Sequence, residues 1–214
     1  MENEVQKNPK MLEKLEPWLN YLQSNKFRTN IHWLIYVFVP LALFILLVVL
    51  QQHTLAGQLG EWAWQILILV LFIKPIVKII ARRELMWLLT YRRELGILCF
   101  YLAFSHLATI IFLLKGYQVK NYLGLNNFML YGAIAGIILI FLYLSSNNFA
   151  MRVLKKNWKR LQSFSYLLLP LISIHQILVE IELEDTFGLI ALNIIFIVLK
   201  ILEYKKITLK FKQI

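Results

Sequence analysis

A single cysteine, Cys99, stands in the whole chain. One thiol cannot close an internal disulfide, and it cannot supply the several sulfur ligands of a zinc or iron–sulfur site. Glycine is sparse, at 8 residues, and neither G-x-G-x-x-G nor G-x-x-x-x-G-K occurs. A nucleotide-binding module within the chain is thereby excluded. Charge is scarce too. Only 16% of the 214 residues are Asp, Glu, Lys or Arg, against about 25% in an ordinary soluble domain. Apolar residues take their place, at 59% of the chain with a mean hydropathy of +0.63. The length suits one domain, and the composition points to a membrane protein.

A helix needs about 20 predominantly apolar residues to cross the hydrocarbon core. Six runs approach that length: residues 33–50, 62–80, 95–114, 128–144, 161–179 and 187–202. The second and sixth contain lysines (Lys74, Lys78 and Lys200) near their ends, where long stems snorkel to the headgroups. The expected fold is an all-α, six-helix integral membrane bundle.

The basic residues orient it. All of the 23 Lys and Arg residues except Lys115 and Lys120 fall in alternate segments: before the first run, at 74–93, at 152–160 and from Lys200 onward. The loop around residues 51–61 has none, and the loop after the fifth run carries Glu180, Glu182, Glu184 and Asp185 instead. This alternation is the positive-inside pattern for six spans with both termini cytoplasmic. It also accounts for the net charge of +11 as a topology signal beside anionic lipid, so no nucleic-acid partner is expected. The first 30 residues are polar, and the apolar run after them is too long for a cleavable signal. Within them, Leu12, Leu15, Trp18, Leu19 and Leu22 have helical spacing and suggest a helix lying on the cytoplasmic face. The expected division is a cytoplasmic amphipathic segment at 1–30, a transmembrane domain at 31–203 and a cytoplasmic tail at 204–214.

Of the four histidines, His32 and His53 lie at or outside the ends of the first run. His106 and His175 lie inside the third and fifth, which run in the same direction. His106 comes 13 residues after Arg93 and His175 comes 15 after Arg160. At the helical rise both sit roughly 20 Å from the cytoplasmic edge. Two imidazoles at matched depth on parallel helices are what a bis-histidine haem requires. The alternative is that each is a helix–helix hydrogen-bonding residue.

Three segments carry a resemblance. "RRELGILCFYLAFSH" (92–106) resembles the third-helix motif of ferric reductase-like transmembrane domains, most of all the MsrQ (YedZ) group. Arg92, Arg93, Leu95, Gly96 and His106 match. Residues 145–167 resemble that group's entry to the fifth helix in Ser146, Asn147, Arg152, Leu154, Trp158, Leu161 and Tyr166, followed by His175. Residues 60–75 resemble its second helix in Gly60, Trp62 and Pro75. The resemblance spans roughly residues 35–180. It implies a haem b membrane subunit of a methionine sulfoxide reductase system, an oxidoreductase component without its own substrate-reducing site.

There are departures. Ferric reductases and NADPH oxidases carry two histidines on each of these helices and hold two stacked haems. Here the position 14 before His106 is Arg92, as in the MsrQ group, and the position 13 before His175 is Gln162, where that group usually has histidine. The resemblance therefore implies one haem b in the outer half of the membrane, with His106 and His175 as its axial ligands. Arg92 and Gln162 are read as interfacial polar residues. Electrons would come from quinol or from a separate cytoplasmic flavin reductase, so FMN or FAD belongs only to a partner. They would leave to an extracytoplasmic reductase. A lone haem some 20 Å from the cytoplasm favours quinol arriving from the lipid. The basic cluster at Arg152, Lys155, Lys156 and Lys159 serves topology first and offers a dock for an acidic donor second.

Gly132 and Gly136 form G-x-x-x-G, a close-packing signal. Pro170 is expected to bend the fifth helix. Two other classes remain: a cofactor-less membrane scaffold that kept the fold, and a small transporter, for which internal repeats are missing.

Overall fold

The computed structural model of the chain describes residues 17, 20–46, 55–81, 83–113, 128–179 and 183–208, and every regular element among them is helical. In order these are α1 (Asn25–Trp33), a π-helical turn (Leu34–Phe38), α2 (Val39–Phe44), α3 (Ala56–Ile80), a 3₁₀ segment (Arg83–Thr90), α4 (Arg92–Leu113), α5 (Phe128–Leu144), α6 (Asn148–Leu154), α7 (Lys156–Ser163), α8 (Ser165–Ile177) and α9 (Leu183–Tyr204). The expected amphipathic helix at 11–22 lies mostly outside the described residues, as do His53 and the tail from residue 209.

Local chemistry sets the breaks. Ala81 ends α3 in a left-handed conformation (φ 52°), its N–H donating to the Val77 carbonyl. At the end of α5 the Ser145 and Ser146 hydroxyls turn back to the Phe141 and Leu142 carbonyls at 2.8 and 2.6 Å. Asn147 then caps α6 by accepting from the Ala150 N–H at 2.7 Å, and the chain turns by 92°. The Trp158 indole N–H donates to the Ser145 carbonyl at 2.9 Å and pins α7 under the end of α5. The interruption near the fifth apolar run falls at Phe164, between α7 and α8, whereas Pro170 lies inside α8.

Helices α3 and α4 form one packed pair, α5 and α8 another. Between them lies a core that includes Leu67, Leu71, Leu139, Leu168, Leu169 and Phe196. Leu71 and Leu168 have no exposed surface. In a bilayer the unfolded reference is also apolar, so truncating Leu168 loses packing more than transfer energy. Leu168→Ala should cost about 1–2 kcal/mol, below the range for soluble cores, read as a lower midpoint in thermal unfolding in detergent.

The outer surface is apolar. Trp33, Phe38 and Phe44 are 57–59% exposed, and Ile190, Ile194 and Ile197 of α9 are 47–56% exposed. Water tolerates few such patches, whereas lipid favours them. Buried hydroxyls satisfy themselves within their own helices: Thr109 donates to the Ser105 carbonyl at 2.7 Å, and Ser173 to Leu169 at 2.9 Å. Three helical stretches, 25–44, 57–80 and 185–204, are long and apolar enough to cross a membrane, and a fourth qualifies if α5 and α6 count as one bent span.

Candidate functional site

Two cavities lie along the bundle, one toward each end. The first, about 540 Å³, is lined from the N-terminal half of α3, the C-terminal half of α4, the start of α5 and the end of α8. The second, about 590 Å³, is lined from the opposite halves of the same helices together with α7. This exchange of halves makes α3 antiparallel to α4, and α5 antiparallel to α8. Helices α4 and α8 therefore run in the same direction, as the charge alternation implied.

His106 of α4 and His175 of α8 both line the first cavity. Each imidazole sits against a glycine of a neighbouring helix. A methyl group on Gly60 of α3 would meet the His106 Nδ1 at 2.9 Å, and one on Gly132 of α5 would meet the His175 Nδ1 at 3.0 Å. Glycine is what admits the rings. A methyl group on Gly136, the second member of G-x-x-x-G, would lie in ordinary contact with the Leu107 side chain at 3.8 Å. The packing motif thus does more than close a helix pair: its first glycine makes room for an imidazole. The spacing was visible in the sequence, but its partner was not.

The His175 ring is oriented. Its Nδ1 lies 2.7 Å from the Phe128 carbonyl oxygen, which can only accept, so Nδ1 carries the proton. In the neutral ring, Nε2 then keeps its lone pair. Gln176, also on the wall, has a buried Oε1 without a hydrogen-bond partner among the described residues. The remaining lining is mainly apolar, with Trp64, Phe100, Phe104 and Leu139 prominent.

No histidine lines the second cavity. Arg92 and Gln162 are there, each engaged by protein: the Arg92 Nε donates to the Val70 carbonyl at 3.1 Å, and the Gln162 amide donates to the Ser145 Oγ at 3.0 Å. Cys99 and Leu139 belong to both linings. Phe100 of the first cavity stacks on Tyr143 of the second at 4.1 Å, and the Tyr143 and Tyr101 hydroxyls are 3.3 Å apart. Lys74, near the end of its apolar run, forms an ion pair with Glu203 of α9 at 3.1 Å. His32 is exposed and stacks on Tyr36 at 4.0 Å, away from either cavity.

A helical membrane protein whose bundle encloses an apolar cavity walled by two imidazoles is the class these features define. The sequence profile of the ferric reductase like transmembrane component family matches residues 59–173, which carry α3 through most of α8. The chain belongs to that family. Among curated proteins it is similar to the protein-methionine-sulfoxide reductase heme-binding subunit MsrQ of Brucella anthropi, at 36% identity over 132 residues, covering 59% of this chain and 56% of that protein. The MsrQ of Brucella ovis is 34% identical over 122 residues, covering 55% and 53%. The chain thus spans about half the length of the curated relatives it matches. No solved structure matches it.

Proposed function

We propose that the chain is a membrane electron-transfer subunit that holds one haem b in the first cavity, with His106 and His175 as the axial ligands. The observation that carries this reading is the placement of the two imidazoles, from parallel helices, on the wall of one apolar cavity. Two protein ligands suit a metal already held in a plane by its own macrocycle. The cavity lies within the 300–1,000 Å³ common for cofactor sites. The Phe128 carbonyl holds the proton on the His175 Nδ1, as carbonyls commonly do for the distal ring nitrogen of a metal-ligating histidine. Haem, when bound, would supply the one-electron ferric–ferrous couple. The chain's own part is to orient two ring nitrogens, to leave room for them at Gly60 and Gly132, and to keep water out with apolar walls.

The rest of the proposal follows the charge pattern and the relatives. Six spans cross the cytoplasmic membrane with both termini inside, in a domain at 31–203 flanked by cytoplasmic segments at 1–30 and 204–214. Quinol or a separate flavin reductase donates electrons. An extracytoplasmic reductase of the methionine sulfoxide type accepts them.

The test is a reduced-minus-oxidised absorption spectrum of protein produced with haem supplied. Wild type should show a b-type signal at about one haem per chain, and His106→Ala and His175→Ala should each lose most of it. A haem-free wild type would instead support a cofactor-less scaffold.

A further inference from the structure

The second cavity is not used by this reading, and its charges are unbalanced. Lys74, Arg92, Arg93 and Lys159 all line it. Lys74 is neutralised by Glu203. Arg92 is bonded to a backbone carbonyl and Arg93 to the Asn148 side-chain oxygen at 3.1 Å, both neutral acceptors. Among the described residues no carboxylate lies within ion-pair distance of Arg92, Arg93 or Lys159. Cations gathered at one site repel one another, and partial burial adds a desolvation cost at Arg92; an anion offsets both.

The cavity is also graded. Its mouth includes Met151, Lys159 and Ser163, all exposed, while its deeper lining passes through half-buried Val70 and Tyr143 to an apolar floor at Leu67 and Ile97. A small inorganic anion would leave that apolar floor unfilled. A ligand with an anionic head and an apolar body matches both ends. The basic residues mark this as the end of the bundle where anionic headgroups collect, and the surrounding lipid supplies such amphiphiles directly.

We infer that the second cavity is a specific site for one anionic phospholipid, its phosphate held by Arg92, Arg93 and Lys159 and an acyl chain lying along Val70 and Tyr143. The inference uses none of the residues assigned to the haem, so it stands or falls separately.

Native mass spectrometry of the full-length detergent-solubilised protein tests it. Phosphatidylglycerol, phosphatidylcholine with the same acyl chains, and inorganic phosphate are offered in turn. One phosphatidylglycerol per chain should be retained, at least about tenfold in preference to phosphatidylcholine. Arg93→Gln with Lys159→Gln, both at exposed side chains, should reduce retention by about tenfold or more. Arg152→Gln with Lys155→Gln removes the same charge outside the cavity and should leave retention unchanged. If the first pair fails to fold, Lys159→Gln alone should still lower retention measurably. Equal retention of phosphatidylcholine, equal loss in both double variants, or no loss in a folded cavity variant overturns the site. So does displacement by inorganic phosphate, which would make it a free-anion site, or a second haem per chain in place of lipid.

Discussion

Gly132→Ala should lower haem retention by about tenfold while leaving the bundle at least as stable as wild type. The added methyl would lie 3.0 Å from the Nδ1 and 3.1 Å from the Cε1 of His175, inside the normal 3.5–4.0 Å contact distance. The ring cannot simply recede, because the same Nδ1 is tied to the Phe128 carbonyl at 2.7 Å. It must tilt, and a tilted imidazole no longer presents Nε2 to the cavity in the same direction. Gly60→Ala should act alike on His106, with contacts of 2.9 and 3.0 Å. Alanine in a helix interior gains about 1 kcal/mol over glycine, so the unfolding midpoint should hold even as haem is lost. Gly188→Ala and Gly96→Ala are the controls, since nothing lies within 4 Å of the added carbon at either position and neither lines the first cavity. The measurements are the haem-to-protein ratio and the thermal midpoint of each variant. An unchanged ratio in both the Gly60 and Gly132 variants would falsify the assignment of these glycines.

Glu203→Ala should be among the most destabilising single changes at the polar end of the bundle. The Glu203 carboxylate meets Lys74 of α3 at 3.1 Å and Lys200 of its own helix at 2.6 Å. Lys200 in turn donates to the Tyr166 hydroxyl of α8 at 3.2 Å. One carboxylate therefore ties α3, α8 and α9 together. Its side chain is 13% exposed, and the lysines are 37% and 26% exposed. Removing it strands two half-buried ammonium groups. A fully buried pair broken this way costs about 3–5 kcal/mol; partial exposure reduces the expectation to about 1–3 kcal/mol. Replacing all three residues, as Lys74→Met, Lys200→Met and Glu203→Leu, should recover most of the loss, because no charge is then left unpaired. Thermal unfolding reads both. Limited proteolysis at the C-terminal end of α9, beside Glu203, should quicken in the single variant and return toward wild type in the triple.

These two sites mark where sequence reading stops. Helical rise and charge alternation depend on position along one chain, so they located His106 and His175 at one level and assigned α4 and α8 a common direction. What faces what depends on rotation about each helix axis and on the choice of neighbour, which spacing within one helix does not encode. Gly132 was legible as a packing residue, yet its partner is an imidazole of a helix more than thirty positions away. Lys74 was legible as a lysine near a membrane boundary, but its carboxylate lies on α9. Pro170 lies inside α8, and the break in that apolar run falls at Phe164, between α7 and α8.

The sequence by itself determined the all-helical membrane character, the alternation of charge and the pair of histidines within apolar runs, because hydropathy, charge and rise are properties of a single strand of chain. Only the tertiary structure decided that both imidazoles share one cavity, that glycines from two other helices admit them, and that three cations line a second cavity with no carboxylate among the described residues within ion-pair distance. Those are contacts between helices, fixed by packing rather than by sequence distance.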